Sequence, residues 1–159
     1  MKPILEKKRM LLKKVASGLA IALVATATVF AGDVDLEGVK CVVASKPADA
    51  EKSADYKDGK VYFCCNGCAG KFAKNKEKFA NSANRQLVAT KQYEQKACPI
   101  SGRELNPETG TEVSGVKVTF CCNGCKGKVE KAEGDAKVKL VFSEKAFAKA
   151  FAKAAEETE

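Results

Sequence analysis

The chain contains no histidine and no tryptophan, and it has only two methionines and four prolines among its 159 residues. Without histidine, neither a Ser-His-Asp triad nor an imidazole ligand for a metal ion is available. The sequence also supplies no paired-carboxylate site and no glycine-rich phosphate loop. We therefore expect a binding protein and not an enzyme, and any metal ion in it must be held by other side chains.

Cysteine is what this sequence has in quantity, and its eight copies follow a duplicated pattern. Residues 63–68 read Phe-Cys-Cys-Asn-Gly-Cys, and the same string returns 57 positions later at residues 120–125. At that offset Cys41 is matched by Cys98, so each half contains the pattern Cys-x22-Cys-Cys-x2-Cys. Chance does not account for a six-residue string and a distant cysteine recurring in one register. The sequence therefore predicts two equivalent cysteine sites.

Residues 1–31 have the three parts of a secretory signal peptide. Six basic residues and one acidic residue come first, an uncharged run of about 17 residues follows from Val15, and Val29-Phe30-Ala31 ends the segment. The run barely reaches the length that spans a bilayer, which favours cleavage after Ala31 over a retained membrane anchor. We expect a periplasmic or secreted protein without stable membrane insertion after cleavage.

Cleavage would also change the charge of the protein, because residues 1–31 carry most of its basic excess. The formal net charge is +8 for the whole chain and +3 without this segment. A nucleic-acid partner requires a concentrated basic face that neutralises phosphates, and a mature chain at +3 offers little of that. We therefore expect no nucleic-acid partner.

The mature chain reads as an α+β protein with one unit in residues 32–85 and a second in residues 86–159. In the first unit, Asp58-Gly59 lies between short β-forming segments and predicts a hairpin whose glycine takes the positive φ of a type I′ turn. The second strand of this hairpin runs into the cysteine string. A helix is then expected over residues 69–79, from the spacing of its aromatic residues.

The second unit repeats this order with less apolar bulk on its helix. A linking strand is expected over residues 86–90 and a hairpin over residues 113–120. The shorter helix over residues 126–132 has Val129 where the first unit has Phe72. The second core therefore needs apolar side chains from elsewhere in the chain.

We expect the C-terminal tail to supply them. The alternation of residues 138–142 predicts a strand, and the Ala-rich segment 144–157 predicts a helix that begins after Ser143. Together these elements would complete the core of the second unit. The tail residues assigned to that core are Leu140, Phe142, Phe147 and Phe151.

A hairpin strand that ends in Cys-x-x-Cys at a glycine turn, before a helix, is typical of small metal-binding knuckles. The hairpin would bring the distant cysteine of each unit beside the knuckle. Thiolate ligands select Zn²⁺, Cu⁺ or another soft ion, about one per unit. The expected partners are metal ions and a second metal-handling protein. The predicted ligands are Cys41, Cys64 and Cys68 in the first unit, and Cys98, Cys121 and Cys125 in the second.

The vicinal cysteines leave the coordination number open. Neighbouring side chains on an extended strand point to opposite faces, so Cys64 and Cys65 reach one ion only if the strand breaks there. Each site then has either three thiolates and an open position or four thiolates. Cys65 and Cys122 are therefore alternate ligands.

Two other interpretations of the cysteines remain open. Exported proteins retain disulfides, and an even number of cysteines in small units is consistent with a disulfide-stapled interaction protein. A Cys-x-x-Cys between a strand and a helix is also the placement used by dithiol oxidoreductases. Against these alternatives, the adjacent cysteines give poor geometry for several simultaneous bridges, and each unit is too short for the usual redox scaffold.

Each unit resembles the related YHS and TRASH families of small, treble-clef-like metal-binding domains, which occur in heavy-metal sensors and transporters. The TRASH pattern is a cysteine, about twenty residues, and then Cys-x3-Cys, which both halves match. Residues 59–64 and 98–102 are similar to the knuckle strand and the opening motif of the family, although neither unit contains a Tyr-His-Ser triplet. The resemblance implies a metal-binding module over about residues 40–80 and 97–136.

Overall fold

The first repeat folds as a β-hairpin followed by two helices. In this computed structural model, which describes residues 34–155, the first half contains β1 (Asp49–Tyr56), β2 (Gly59–Phe63), α1 (Asn66–Lys74) and α2 (Lys76–Ala89). The second half contains β3 (Tyr93–Gln95), β4 (Asn106–Val113), β5 (Val116–Phe120), α3 (Asn123–Glu130), α4 (Gly134–Phe142), α5 (Glu144–Ala150) and β6 (Phe151–Lys153). The described chain is therefore α+β, as the sequence predicts.

The two long hairpins, β1–β2 and β4–β5, are antiparallel copies of one another. Both shift register at equivalent positions, Asp49 in β1 and Asn106 in β4. At each of these positions the side-chain oxygen accepts a hydrogen bond from the backbone N–H two residues later, at 2.9 and 3.1 Å respectively. The duplication in the sequence thus extends to the conformation of the backbone.

The turns of the two hairpins differ. In the second hairpin Ser114 and Gly115 both have positive φ, 51° and 84°, as a type I′ turn requires. In the first hairpin the positive φ of 52° falls on Lys57, and Gly59 is already the first residue of β2, so the predicted role of Gly59 is wrong. Glycine permits a close approach there, since a Cβ at this position would lie 2.6 Å from Oε1 of Gln92.

Helix α2 overturns the strand predicted over residues 86–90. Ala83, Gln86 and Leu87 recur at helical spacing and are fully buried. The β-branched residues at the end of this segment suggested a strand, but burial of one helical face decides its conformation. The helix ends at Ala89, and Lys91 then adopts a positive φ of 59°.

The helix predicted over residues 69–79 is in fact the end of α1 and the beginning of α2. The backbone breaks between them at Asn75, with φ −152° and ψ 66°. The side-chain oxygen of Asn75 accepts a hydrogen bond from the N–H of Lys78 at 3.2 Å and so caps α2. Two shorter helices can therefore pack at different angles on the first hairpin.

The tail contains helices and a strand in the reverse of the predicted order. Residues 138–142, predicted as a strand, belong to α4, because Val138, Val141 and Phe142 also fit helical spacing and their face is covered. The helix predicted over residues 144–157 ends at Ala150, and Phe151 begins β6, which pairs with β3. An apolar run this short fits both the helical period and the strand period, so tertiary packing selects the conformation.

The predicted contribution of the tail to the core is confirmed for its three phenylalanines, Phe142, Phe147 and Phe151, which are all buried. The rings of Phe147 and Phe151 stack with centroids 5.3 Å apart, and Tyr93 lies 5.0 Å from Phe147. These rings belong to the same hydrophobic core as Phe72 of the first repeat. The boundary expected between residues 85 and 86 lies within α2, and the division into two units remains a prediction.

Glu144, at the start of α5, connects the tail to the first repeat. Its carboxylate accepts hydrogen bonds from the hydroxyl of Tyr56 at 2.9 Å, from Nζ of Lys57 at 2.8 Å and from Nδ2 of Asn84 at 3.0 Å. Burial opposes ionisation of Glu144, but these donors outweigh it and lower the pKa of the carboxyl group. The contact thus joins the first hairpin, α2 and α5 through one ionised group.

The predicted signal peptide, residues 1–31, lies outside the described residues. Among residues 34–155, no helix has the length and apolar character that crossing a bilayer requires. Residues 34–155 belong to one compact unit.

We predict that Phe142→Ala destabilises both repeats together. Phe142 is fully buried, and its backbone carbonyl accepts a hydrogen bond from Asn84 of α2 at 2.9 Å. Truncating a buried phenylalanine costs about 3–5 kcal/mol. Thermal unfolding followed by circular dichroism should therefore show one transition at a lower Tm. Leu140→Ala is the matched control, with a smaller loss because Leu140 is only half-buried. Two transitions, one of them at the original Tm, would contradict a shared core.

Candidate metal centres

Three separate parts of the first repeat bring its cysteines together. Cys41 lies before β1, where its backbone N–H donates to the carbonyl of Lys46 at 2.8 Å and closes a turn. Cys64 directly follows β2, and Cys68 lies in the first turn of α1. The three sulfurs lie within 4.8 Å of one another, and those of Cys64 and Cys68 are 3.7 Å apart.

The second repeat reproduces this arrangement at the equivalent positions. The backbone N–H of Cys98 donates to the carbonyl of Arg103 at 2.9 Å, Cys121 directly follows β5, and Cys125 lies in the first turn of α3. These three sulfurs also lie within 4.8 Å of one another, with Cys121 and Cys125 3.7 Å apart. The six cysteines predicted as ligands thus form two triads that are positioned to bind a metal ion.

The spacing of the sulfurs suits a thiolate metal site. With metal–sulfur bonds of about 2.3 Å, tetrahedral angles separate two sulfurs by about 3.8 Å, and the 3.7 Å distance in each triad agrees with this value. Cys41 and Cys98 are buried, whereas Cys64 and Cys121 are half-buried. In each triad the first cysteine therefore lies in the core, and the cysteine that follows the hairpin is partly exposed to solvent.

Cys65 and Cys122 lie beside the triads but are not part of them. Both have an extended backbone, with φ of −165° and −166°, and directly precede α1 and α3. The sulfur of Cys65 is 4.0 Å from that of Cys64, and the sulfur of Cys122 is 3.7 Å from that of Cys121. Each triad therefore has one further thiol next to it on the solvent side.

Burial and hydrogen bonding act against each other on the thiols. Burial opposes ionisation of Cys41 and Cys98, but hydrogen bonds from nearby backbone N–H groups, joined at Cys98 by the hydroxyl of Ser101, lower the pKa of both thiols. Burial, reinforced by the neighbouring sulfurs, raises the pKa of Cys68 and Cys125 to about 12. A soft ion must therefore displace protons when it binds all three sulfurs of a triad.

A buried glutamine fixes the first cysteine against the knuckle strand. The amide of Gln86 in α2 accepts a hydrogen bond from the N–H of Tyr62 at 2.6 Å and donates to the carbonyl of Tyr62 at 3.0 Å. The same amide donates to the carbonyl of Lys40 at 2.9 Å. Because Lys40 precedes Cys41 and Tyr62 lies two residues before Cys64, one side chain holds both cysteine-bearing segments. We call this contact the glutamine clamp.

The second half has the same clamp from a different element. Gln95 of β3 accepts from the N–H of Thr119 at 2.9 Å and donates to the carbonyls of Thr119 and Ala97 at 2.6 and 3.0 Å. Thr119 and Ala97 are the 57-residue equivalents of the two residues that Gln86 holds, but Gln86 and Gln95 are not equivalents of each other. No pattern in the sequence points to either glutamine, because neither belongs to the repeat.

The fold and the sites together define a small α+β protein with two cysteine triads positioned to bind a metal ion. The order of hairpin, knuckle and helix in each half fits a finger-like unit. No protein-family model, curated protein or solved structure matches the chain. The resemblance to the YHS and TRASH families therefore stays a prediction from the residue pattern.

We predict that Gln86→Leu loosens the first site and leaves the second intact. The substitution leaves the buried N–H and carbonyl of Tyr62 without their partner, at a cost of about 1–3 kcal/mol for each such group. The affinity of the first triad for Zn²⁺ should fall, measured in full-length protein whose second triad is disabled by Cys98→Ser. Gln92→Leu is the matched control, because Gln92 pairs with Lys60 of the same strand but holds no cysteine segment. Equal loss of affinity in both variants would show that the clamp only stabilises the fold.

We further predict that Cys65→Ser leaves the metal content of the first site unchanged, whereas Cys64→Ser abolishes it. The reason is that Cys64 belongs to the triad and Cys65 does not. Elemental analysis of full-length variants that also carry Cys98→Ser would measure the first site alone. The opposite result would show that Cys65 and Cys68 form the knuckle ligands.

Proposed function

We propose that this chain is an exported protein that holds one soft metal ion on each of two duplicated cysteine sites. The observation that carries this proposal is the pair of triads, each with three sulfurs within 4.8 Å of one another at equivalent positions of the repeat. Core packing alone does not explain them, because a buried cysteine needs no second and third sulfur beside it. Binding of a thiophilic ion does explain them.

Zinc, copper(I) or a heavy-metal ion suits such sites best, because thiolate sulfur is a soft ligand and Mg²⁺ or Ca²⁺ prefers oxygen. Three thiolates leave one position for a further ligand, as in sites that exchange ligands and not in closed structural sites. Cys65 or Cys122 lies next to that position in its own site. A thiol of a second metal-handling protein would reach it from the same exposed side. Metal buffering, sensing or transfer is therefore the proposed role.

The proposal of export is supported by the composition of residues 1–31, whose basic start, apolar run and small-residue end are those of a signal peptide. Membership of the YHS and TRASH families is supported by the cysteine spacing of both halves. A non-enzymatic role is supported by the absence of histidine from the chain, which removes the general base on which most hydrolytic centres rely.

A thiol–disulfide function, or a disulfide-stapled interaction protein, is the second candidate. All eight cysteines are free thiols in the structure. The sulfurs of Cys64 and Cys68, like those of Cys121 and Cys125, are only 3.7 Å apart, so a short movement would bring each pair within bonding distance. Oxidation would then use the same residues that metal binding uses, and the two functions exclude one another at a given site.

We predict that full-length protein purified from its native compartment binds about two soft-metal ions per chain when metal is supplied in excess, and that it has eight reactive thiols after a chelator removes the metal. The two triads share the same sulfur spacing, so neither should remain empty when metal is in excess. Elemental analysis combined with thiol counting in denaturant would measure both quantities. Metal-free protein with its cysteines paired would support the disulfide alternative and contradict the proposed function.

A further inference from the structure

We propose that the two sites are unequal, and that Ser101 and Arg103 make the second site the one that retains a metal ion while the first site releases it. This inference rests on the proposed function, because it divides one metal-handling role between two sites. It comes from a difference in side chains between two backbones that otherwise match.

Arg103 places its guanidinium group on the solvent side of the second triad. Its Nη2 atom donates to the sulfur of Cys121 at 3.4 Å and to that of Cys122 at 3.7 Å. The hydroxyl of Ser101 lies 3.2 Å from the sulfur of Cys121. A positive charge and a hydroxyl thus contact two of the four cysteines of this repeat.

The first site has the same backbone without these side chains. Lys46 is the equivalent of Arg103, and its carbonyl accepts from Cys41 just as that of Arg103 accepts from Cys98. Ala44 takes the place of Ser101 and has no hydroxyl, while Lys46 is exposed. Among residues 34–155, the sulfur of Cys64 forms hydrogen bonds only with other cysteine sulfurs. The first triad therefore lacks the hydroxyl and the guanidinium that support the second.

The charge of a thiolate site explains why this difference matters. Three thiolates around a monovalent or divalent ion leave at least one net negative charge, and a guanidinium at hydrogen-bonding distance compensates it. Donors to a bound thiolate also hold it in position for the ion, and losing such a partner typically costs 10–100-fold in metal affinity.

The two sites would consequently bind metal ions one after the other as the metal concentration rises. When metal is scarce, ions would occupy the second site first and stay there. The first site would fill only at higher metal concentration and would give up its ion more readily to an acceptor thiol. Ser101 and Arg103 are positioning residues in this scheme, since they act on the metal through the cysteine sulfurs.

Full-length single-site variants test the inequality. Cys98→Ser disables the second triad and Cys41→Ser disables the first, so each variant reports on one site. Co²⁺ serves as a spectroscopic probe of thiolate binding, and Zn²⁺ is then titrated in competition with a chelator. We expect the Kd for Zn²⁺ to be about 10–100-fold lower at the second site, with slower release of Zn²⁺ to excess chelator.

The role of the arginine is tested in the background that keeps only the second site. Arg103→Ala should raise the Kd for Zn²⁺ by about 10–100-fold, and Arg103→Lys should restore part of the loss because it keeps the charge but not the forked donor. Lys46→Ala in the Cys98→Ser background is the matched control. Because the exposed Lys46 side chain forms no hydrogen bond with a sulfur of residues 34–155, its removal should change the Kd by less than about twofold.

A gain of affinity at the first site gives an independent check. Ala44→Ser combined with Lys46→Arg, in the Cys98→Ser background, should lower the Kd of that site toward the value of the second. Ala44 is half-buried and Lys46 is exposed, and unchanged thermal unfolding of the metal-free variants would show that folding is preserved.

The outcomes separate this inference from the proposed function. Equal Kd values at the two sites, or no effect of Arg103→Ala while both sites bind Zn²⁺, would overturn the inference and leave the proposed function standing. Failure of either triad to bind any Co²⁺ or Zn²⁺ in reduced full-length protein would overturn both.

Discussion

One carboxamide in each half holds the segment of the first cysteine against the knuckle strand, and both cysteine sites depend on this contact. Within the part of the chain that the structure describes, the backbone edge of β2 at Tyr62 and that of β5 at Thr119 have no strand partner on this side. A side-chain amide takes the place of a neighbouring strand. The third hydrogen bond of the same amide reaches the residue before Cys41 or Cys98. The carboxamide of one glutamine in each half therefore both hydrogen-bonds the strand edge and positions the first cysteine.

The C-terminal tail supports both clamps, although it contributes no cysteine. Helices α4 and α5 pack on α2, which carries Gln86, and β6 pairs with β3, which carries Gln95. The buried rings of Phe142, Phe147 and Phe151 anchor these contacts in one core. The two halves and the tail thus share their apolar burial in one core. The geometry of the cysteine triads is coupled to overall stability for this reason.

Duplication has preserved the backbone of the sites while the side chains around them have diverged. The backbone φ angles of Cys65 and Cys122 agree within one degree. The sulfurs of Cys64 and Cys68 are 3.7 Å apart, as are those of Cys121 and Cys125. The hydroxyl and guanidinium groups beside the second triad have no counterpart at the first. Equal geometry with unequal electrostatics is the physical basis of the proposed difference in how strongly the two triads hold an ion.

The sequence by itself determined the α+β class, the two hairpins and the cysteines that come together, because these features rest on local patterns and on a repeat that specifies the same geometry twice. Tertiary structure decided the rest. Residues 86–90 and 138–142 are helical because burial of one face selects the helical period where a short apolar run fits either. Gln86 hydrogen-bonds Tyr62 and Lys40, which lie 24 and 46 positions before it in the sequence. No local pattern therefore points to the clamp. Such contacts exist only after the chain has folded around its shared core.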